Sequence, residues 1–244
     1  MPRFFTNEID ENNITLTGSD AVHVGRSLRM KPGEPLTVCC GGIDYNCEIS
    51  EITSDTVYLS LKEKVVCAAE PNIEVTLFQA VPKMDKLEYI IQKSVELGVS
   101  RIVPMLTRRC VSRPDERDFA KKLARLNKIA AEAAKQSGRG IIPEVTAPVT
   151  WKEALAMAKE LDMNMIPYEE AEGVAYSKEV FASIKGKKSL GIFIGPEGGF
   201  AREEVETAVA MGAKMVTLGH RILRTETAGM AVMSIIMFEL EEDR

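Results

Sequence analysis

The sequence contains only two histidines in 244 residues, and its five cysteines (Cys39, Cys40, Cys47, Cys67 and Cys110) are odd in number and irregular in spacing. A zinc cluster needs regularly spaced ligands and a disulfide framework needs paired thiols, so neither is written here. No metal is expected, and the thiols are expected to be reduced and structural. Long apolar runs are also lacking: nothing reaches the roughly 18 consecutive residues of a membrane-spanning helix, and Met1-Pro2-Arg3-Phe4-Phe5 has no signal-peptide layout. These absences predict a cytoplasmic protein with no membrane partner. The chain lacks a surplus of positive charge as well, its formal net charge being -5, which taken whole argues against a nucleic-acid partner.

The distribution of charge reverses that impression. From Lys83 to Arg139 there are fourteen Lys and Arg against seven Asp and Glu, whereas Gly140 to Arg244 carries eleven against seventeen. A basic central segment in an acidic chain is what a directed RNA-facing surface needs. The hydrophobic share of 45% supplies an ordinary globular core.

Residues 1–70 read as a small β-rich domain. The runs Leu36–Cys40, Tyr45–Ile52 and Val57–Val66 are rich in Val, Ile, Thr and Tyr and are separated by Gly41-Gly42 and Thr53-Ser54-Asp55. A short helix from Ser19 or Asp20 as N-cap to Met30 is predicted before them, stopped by Lys31-Pro32-Gly33. Several short strands in succession suggest a small barrel. After Pro71 strands alternate with helices through residues 71–244. Strands are predicted at Ile73–Val81, Arg101–Leu106, Asn164–Tyr168, Leu190–Gly195 and Met215–Gly219, and helices at Met84–Leu97, Glu116–Ser137, Thr150–Leu161 and Arg202–Met211. This is an α/β pattern with a parallel sheet covered on both faces, whose ligands bind beyond the carboxyl ends of the strands. A last helix from near Thr225 is apolar almost all round between Ala228 and Leu240, so a partner subunit is expected to cover it.

Two strand-end loops draw attention. Gly195-Pro196-Glu197-Gly198-Gly199 follows an apolar strand, and its glycines permit sharp turns and close approach to a ligand. It is neither a P-loop nor a Gly-x-Gly-x-x-Gly dinucleotide loop. Leu218-Gly219-His220-Arg221-Ile222-Leu223-Arg224-Thr225-Glu226-Thr227-Ala228 crowds two arginines, a glutamate and two threonines at a sheet end, which helix capping by Thr225 explains only in part.

These two loops resemble the paired signature of the SPOUT methyltransferases and, more narrowly, the ribosomal small subunit methyltransferase E family. Arg3-Phe4-Phe5, His23 with Ser27-Leu28-Arg29, Lys93-x-x-Glu96-Leu97-Gly98-Val99, Glu132-Ala133 with Gln136-Ser137-x-Arg139, and Ile166-Pro167-Tyr168-Glu169 fit the same pattern. His220 and the basic run Thr107-Arg108-Arg109 depart from it. The resemblance implies a PUA-like β-barrel for RNA binding over 1–70 and a SPOUT α/β domain with a deep trefoil knot over 71–244. It also implies a homodimer through the C-terminal domain. The implied activity is S-adenosylmethionine-dependent methylation of N3 of a uridine in 16S ribosomal RNA, presented free or in the assembled small subunit.

The implied cofactor site comprises Gly195, Pro196, Glu197, Gly198, Gly199, Leu218, Gly219, Ile222, Leu223, Arg224 and Thr225. Uridine N3 must lose a proton, so either a base or a positive group that stabilises the anion is needed; Arg224 is the candidate stabiliser, and Glu197 or Glu226 the candidate base. Glu226 could instead simply pair with Arg221 or Arg224. Arg3, Arg26, Arg29, Lys31, Lys86, Lys93 and Arg139 are the candidate RNA contacts, which position without reading sequence. A SPOUT ribose 2′-O-methyltransferase acting on ribosomal or transfer RNA, and a non-catalytic PUA-like RNA-binding protein, remain as alternatives.

Overall fold

The computed structural model of the chain describes residues 1–83 and 86–241. It divides into two compact units, Met1–Glu70 together with Ala134–Ile142, and Pro71–Ala133 together with Pro143–Arg244. Residues 134–142 thus group with the first unit although they lie within the stretch 71–244 that the sequence assigns to the second.

The first unit is a five-stranded sheet in the order β1-β3-β4-β5-β2, formed by β1 (Arg3–Phe5), β2 (Ile14–Thr17), β3 (Pro35–Cys40), β4 (Ile43–Ile52) and β5 (Thr56–Val66). All pairings are antiparallel except β1 with β3. Alternate positions, among them Leu36, Val38, Tyr45, Cys47, Ile49, Val57 and Leu59, fill one core with Phe4, Ile14 and Leu16. Strands β1 and β2 escape the sequence reading because three or four residues are too few to show a period. The predicted helix is shorter than expected. It starts after Thr17 as α1 (Gly18–Val22) and continues as a π-helical turn over His23–Ser27, ending before Met30 because Arg29 turns left-handed at φ 54°.

The second unit is a parallel sheet in the order β12-β10-β11-β6-β7-β8, with β9 also paired to β7. Its strands are β6 (Glu74–Ala80), β7 (Arg101–Leu106), β8 (Glu144–Val145), β9 (Val149–Thr150), β10 (Met163–Pro167), β11 (Ser189–Ile194) and β12 (Lys214–Val216). The connecting helices are α2 (Lys86–Glu96), α3 (Glu116–Gln136), α4 (Trp151–Ala158), α5 (Val174–Ala182), α6 (Arg202–Ala210) and α7 (Thr225–Leu240). The start predicted for α2 at Met84 lies outside the described residues. Helix α5 went unpredicted, since its nine residues are too short a run, with apolar side chains too evenly spread, to set a helical period.

Both sheet faces are covered, which is why the strands read as mainly apolar runs rather than as alternating ones. On one face α4 and α6 pack their alanines and Val205 against Phe78, Val103, Met105, Ile166 and Phe193, with Phe78 and Phe193 stacked at 4.7 Å. On the other lie α2 and α7, the latter touching β11. Helix α7 is therefore not sheathed all round by its own chain: Val232, Met233 and Ile236 are buried, whereas Phe238 is 83% exposed.

Candidate active site

The parallel order places the carboxyl ends of β12, β10 and β11 side by side, and the loops that leave them wall a cavity of about 1010 Å³. The β10–α5 loop contributes Pro167, Tyr168, Glu169, Gly173 and Val174. The β11–α6 loop gives Gly195 through Phe200, and the β12–α7 loop Thr217 through Thr225, with Lys86 and Arg109 completing the lining. All eleven residues expected to hold a cofactor line this space.

Close backbone approach explains the glycines. A Cβ on Gly195 would sit 3.2 Å from Gly199 carbon and Phe200 nitrogen, and Gly199 and Gly219 have φ of 66° and 103°, where side chains are strained. The two loops are joined by a hydrogen bond: Thr225 Oγ1 donates to the Gly195 carbonyl at 2.6 Å and accepts from Gln79 Nε2, on β6, at 2.9 Å. Thr225 is consequently not a helix cap; Arg224 occupies the N-cap position and Thr225 uses its hydroxyl to close the pocket.

Lys86 bridges the loops a second time. Its ammonium lies 3.1 Å from Glu197 Oε1 and 3.4 Å from Glu226 Oε2. Glu197 Oε1 also accepts the Lys83 amide at 3.0 Å. Burial pushes the Glu197 carboxyl up, but hydrogen bonds from its own amide, the Lys83 amide and Lys86 outweigh it and hold it below the usual range. The bond to Glu197 in turn raises the Lys86 ammonium above its ordinary value. Glu226 Oε2 is buried and has no hydrogen-bond partner among the described residues, while Glu226 Oε1 lies 4.0 Å from the exposed Arg224 guanidinium.

Arg109 donates to the Gly198 carbonyl at 2.9 Å, and the neighbouring Arg108 amide donates to Glu204 Oε1 at 2.7 Å. Glu204 Oε2 accepts from the Ala201 amide at 2.8 Å, so one carboxylate both starts α6 and fixes the β7–α3 loop beside the cavity. Sequence reasoning missed Lys86, Arg109 and the β10–α5 loop as pocket walls. Only the Ile166-Pro167-Tyr168-Glu169 motif at a strand end gave a signal.

The expected RNA contacts scatter. Arg26, Arg29 and Lys31 are exposed around the π turn of the first unit. Arg3 is largely buried and clamps Asp44 through two bonds of 2.6 and 2.9 Å. Arg139 is a correction: it is 2% exposed and forms a fork with Glu70 at 3.0 and 2.6 Å, so its charge is consumed within the first unit. Lys93 pairs with Glu96 at 2.8 Å, one turn along α2. Among the described residues no cluster of three or more metal-ligating side chains occurs, and no helix is long and apolar enough to cross a membrane.

Residues 69–237 match the family model described as the RNA methyltransferase domain, and residues 16–62 match the RNA methyltransferase PUA domain. The α/β unit is thus an RNA methyltransferase domain. The chain is 34% identical to ribosomal RNA small subunit methyltransferase E of Bacillus subtilis (strain 168), over 99% of this chain and 98% of that protein. It is 33% identical to the protein of that name from Mesomycoplasma hyopneumoniae (strain 232), over 96% and 98%. Among solved structures it is similar to a ribosomal RNA small subunit methyltransferase E from Neisseria gonorrhoeae bound to S-adenosyl methionine, at TM-score 0.82 and 30% identity, covering 98% of this chain and 97% of that one. A methyltransferase from Legionella pneumophila in complex with the same cofactor superposes at TM-score 0.81 and 29% identity, covering 97% and 96%. The chain belongs to the ribosomal RNA small subunit methyltransferase E family.

Proposed function

We propose that this chain transfers a methyl group from S-adenosylmethionine to N3 of a uridine in 16S ribosomal RNA. The observation that carries the reading is the single cavity walled by three strand-end loops and closed by the Thr225–Gly195 hydrogen bond. Its lining suits a sulfonium nucleoside: glycine backbone is accessible for hydrogen bonding, Ile222 is 90% exposed beside Leu218 and Leu223 for an adenine face, and the carboxylates of Glu169 and Glu197 are at hand for a cationic sulfur. Gly195 through Gly199, Leu218, Gly219 and Ile222 through Thr225 would hold the donor. That donor, when bound, supplies a methyl carbon activated by a positively charged sulfur.

The chain's own residues must then orient the uracil and take its N3 proton. Glu226 suits the base role better than Glu197. Its buried Oε2 has, among the described residues, no hydrogen bond and only the 3.4 Å ion pair with Lys86, whereas Glu197 Oε1 accepts both the Lys83 amide and Lys86 at 3.0 and 3.1 Å, and these bonds hold its carboxyl below the usual range. Arg224, exposed at the rim, is placed to stabilise the N3 anion. Arg26, Arg29 and Lys31 on the first unit would hold RNA phosphates.

The same reading includes a PUA-like barrel over 1–70, a SPOUT domain over 71–244 with a trefoil knot, a homodimer through α7 and a cytoplasmic place of work on free or assembled small-subunit RNA. Support for the knot comes from the return of the chain: after edge strand β12 it crosses back so that Thr225 meets β11 and β6. Support for the dimer comes from the exposed apolar side chain of Phe238.

Unmodified small subunits incubated with labelled S-adenosylmethionine, digested to nucleosides and resolved by mass spectrometry, test the reading. A 3-methyluridine with a free 2′-hydroxyl is expected. A ribose-methylated nucleoside would transfer the chain to 2′-O chemistry, and no incorporation together with no cofactor binding by calorimetry would leave a non-catalytic RNA-binding protein.

A further inference from the structure

The basic central segment found in the sequence is absorbed only in part by the site. Its largest remaining share lies on α3. Phe119, Leu126, Ala130 and Ala133 are buried along one side of this helix, and Arg117, Lys121, Lys122, Arg125 and Lys128 are exposed. Between Phe119 and Ala131 there are four basic residues and no acidic one. Arg117–Lys121 and Lys121–Arg125 are like-charge pairs at i,i+4, an arrangement that works against the isolated helix. Two of these charges are partly offset, Lys121 by Asp118 at 3.1 Å and Arg125 by Glu88. At a rise of about 1.5 Å per residue the series from Arg117 to Lys128 covers roughly 16 Å.

The position of this series matters as much as its charge. Helix α3 leaves the carboxyl end of β7, the same sheet edge that carries the cavity. The loop that leads into it is stiffened by Arg113, which donates to the Thr107 and Arg108 carbonyls at 2.8 and 3.2 Å. Arg109, in that loop, lines the cavity and holds the Gly198 carbonyl. The row of cations on α3 thus follows in the chain from a loop whose Arg109 lines the pocket.

We infer that the exposed face of α3 is a docking track for the phosphate backbone of the RNA strand that carries the target base. RNA fits the row better than an acidic protein surface does, because its charges repeat regularly along a strand and the row repeats once per helical turn. The inference rests on the proposed RNA methylation and adds the surface that holds the substrate in the same unit as the pocket.

The triple variant Arg117→Gln/Lys122→Gln/Lys128→Gln tests it, since all three side chains are exposed and none contributes to the core. Methylation of unmodified small subunits is measured at several salt concentrations, alongside equilibrium binding to a small-subunit ribosomal RNA transcript and calorimetry with S-adenosylmethionine. The expected result is a KM for RNA raised about tenfold or more, kcat and cofactor affinity unchanged, and a log K against log salt slope reduced by about 2 to 3. An unchanged KM and slope in a variant that melts like the parent would overturn the inference while leaving the methylation reading intact. If the parent methylates nothing but the binding slope still falls in the variant, the reading fails and the docking track stands. If the parent binds no RNA, both fail.

Discussion

Lys86 illustrates how a residue's role follows from its neighbours. In the sequence it is one lysine of a basic stretch, seven residues before Lys93; in the fold it is the cation between Glu197 and Glu226. That sharing is unequal: Glu197 Oε1 takes Lys86 and the Lys83 amide at 3.1 and 3.0 Å, whereas Glu226 Oε2 is buried with only the longer 3.4 Å ion pair to Lys86 among the described residues. Glu226→Gln is therefore expected to lower kcat by about 100-fold or more, the usual range for a lost general base, with cofactor affinity preserved. Glu197→Gln should act mainly through cofactor KM. Rapid-quench measurement of the methyl-transfer step separates the two, and equal kcat losses would remove the distinction. Arg224→Ala is expected to abolish methylation without altering the fold, because its side chain is 81% exposed. Arg139 shows the opposite migration. Its motif invited an RNA contact, but a fork with Glu70, whose Oε1 also accepts the Gly140 and Ile141 amides, spends that guanidinium on holding 134–142 in the first unit.

At the scale of elements, the sheet strands were legible because both faces are covered and each reads as a mainly apolar run. The site depends on what joins their ends. Gln79, fully buried on β6, gives its amide to Thr225, and Thr225 gives its hydroxyl to Gly195. Thr225→Val keeps the shape but leaves Gln79 Nε2 short of an acceptor and the Gly195 carbonyl without its donor. The expected cost is about 1 to 3 kcal/mol of stability, with a weaker calorimetric affinity for S-adenosylmethionine because the two loops are no longer pinned together. Unchanged affinity would show that the pocket is closed by packing alone. The relay was invisible in the sequence, since 146 positions separate Gln79 from Thr225.

At the scale of the whole molecule, α7 couples the pocket to an exposed apolar surface. Its first turn carries Thr225 and Glu226, and its last carries Phe238, so an association that covers Phe238 would bear on the helix that builds the site. For the homodimer proposed above, Phe238→Glu is expected to give a monomer by light scattering and to lower the activity, because a buried carboxylate at an apolar interface is strongly unfavourable. A dimer that persists in this variant would move the interface elsewhere.

The alternation of strands and helices, the basic middle segment and the two strand-end loops were all set by local composition and period, which act over a few residues and survive in one dimension. Which carboxylate Lys86 holds more closely, which arginine is consumed by a buried fork and which helix offers its cations to solvent were decided by tertiary structure. Those properties depend on burial and on partners tens to more than a hundred positions away, and a linear sequence does not record them.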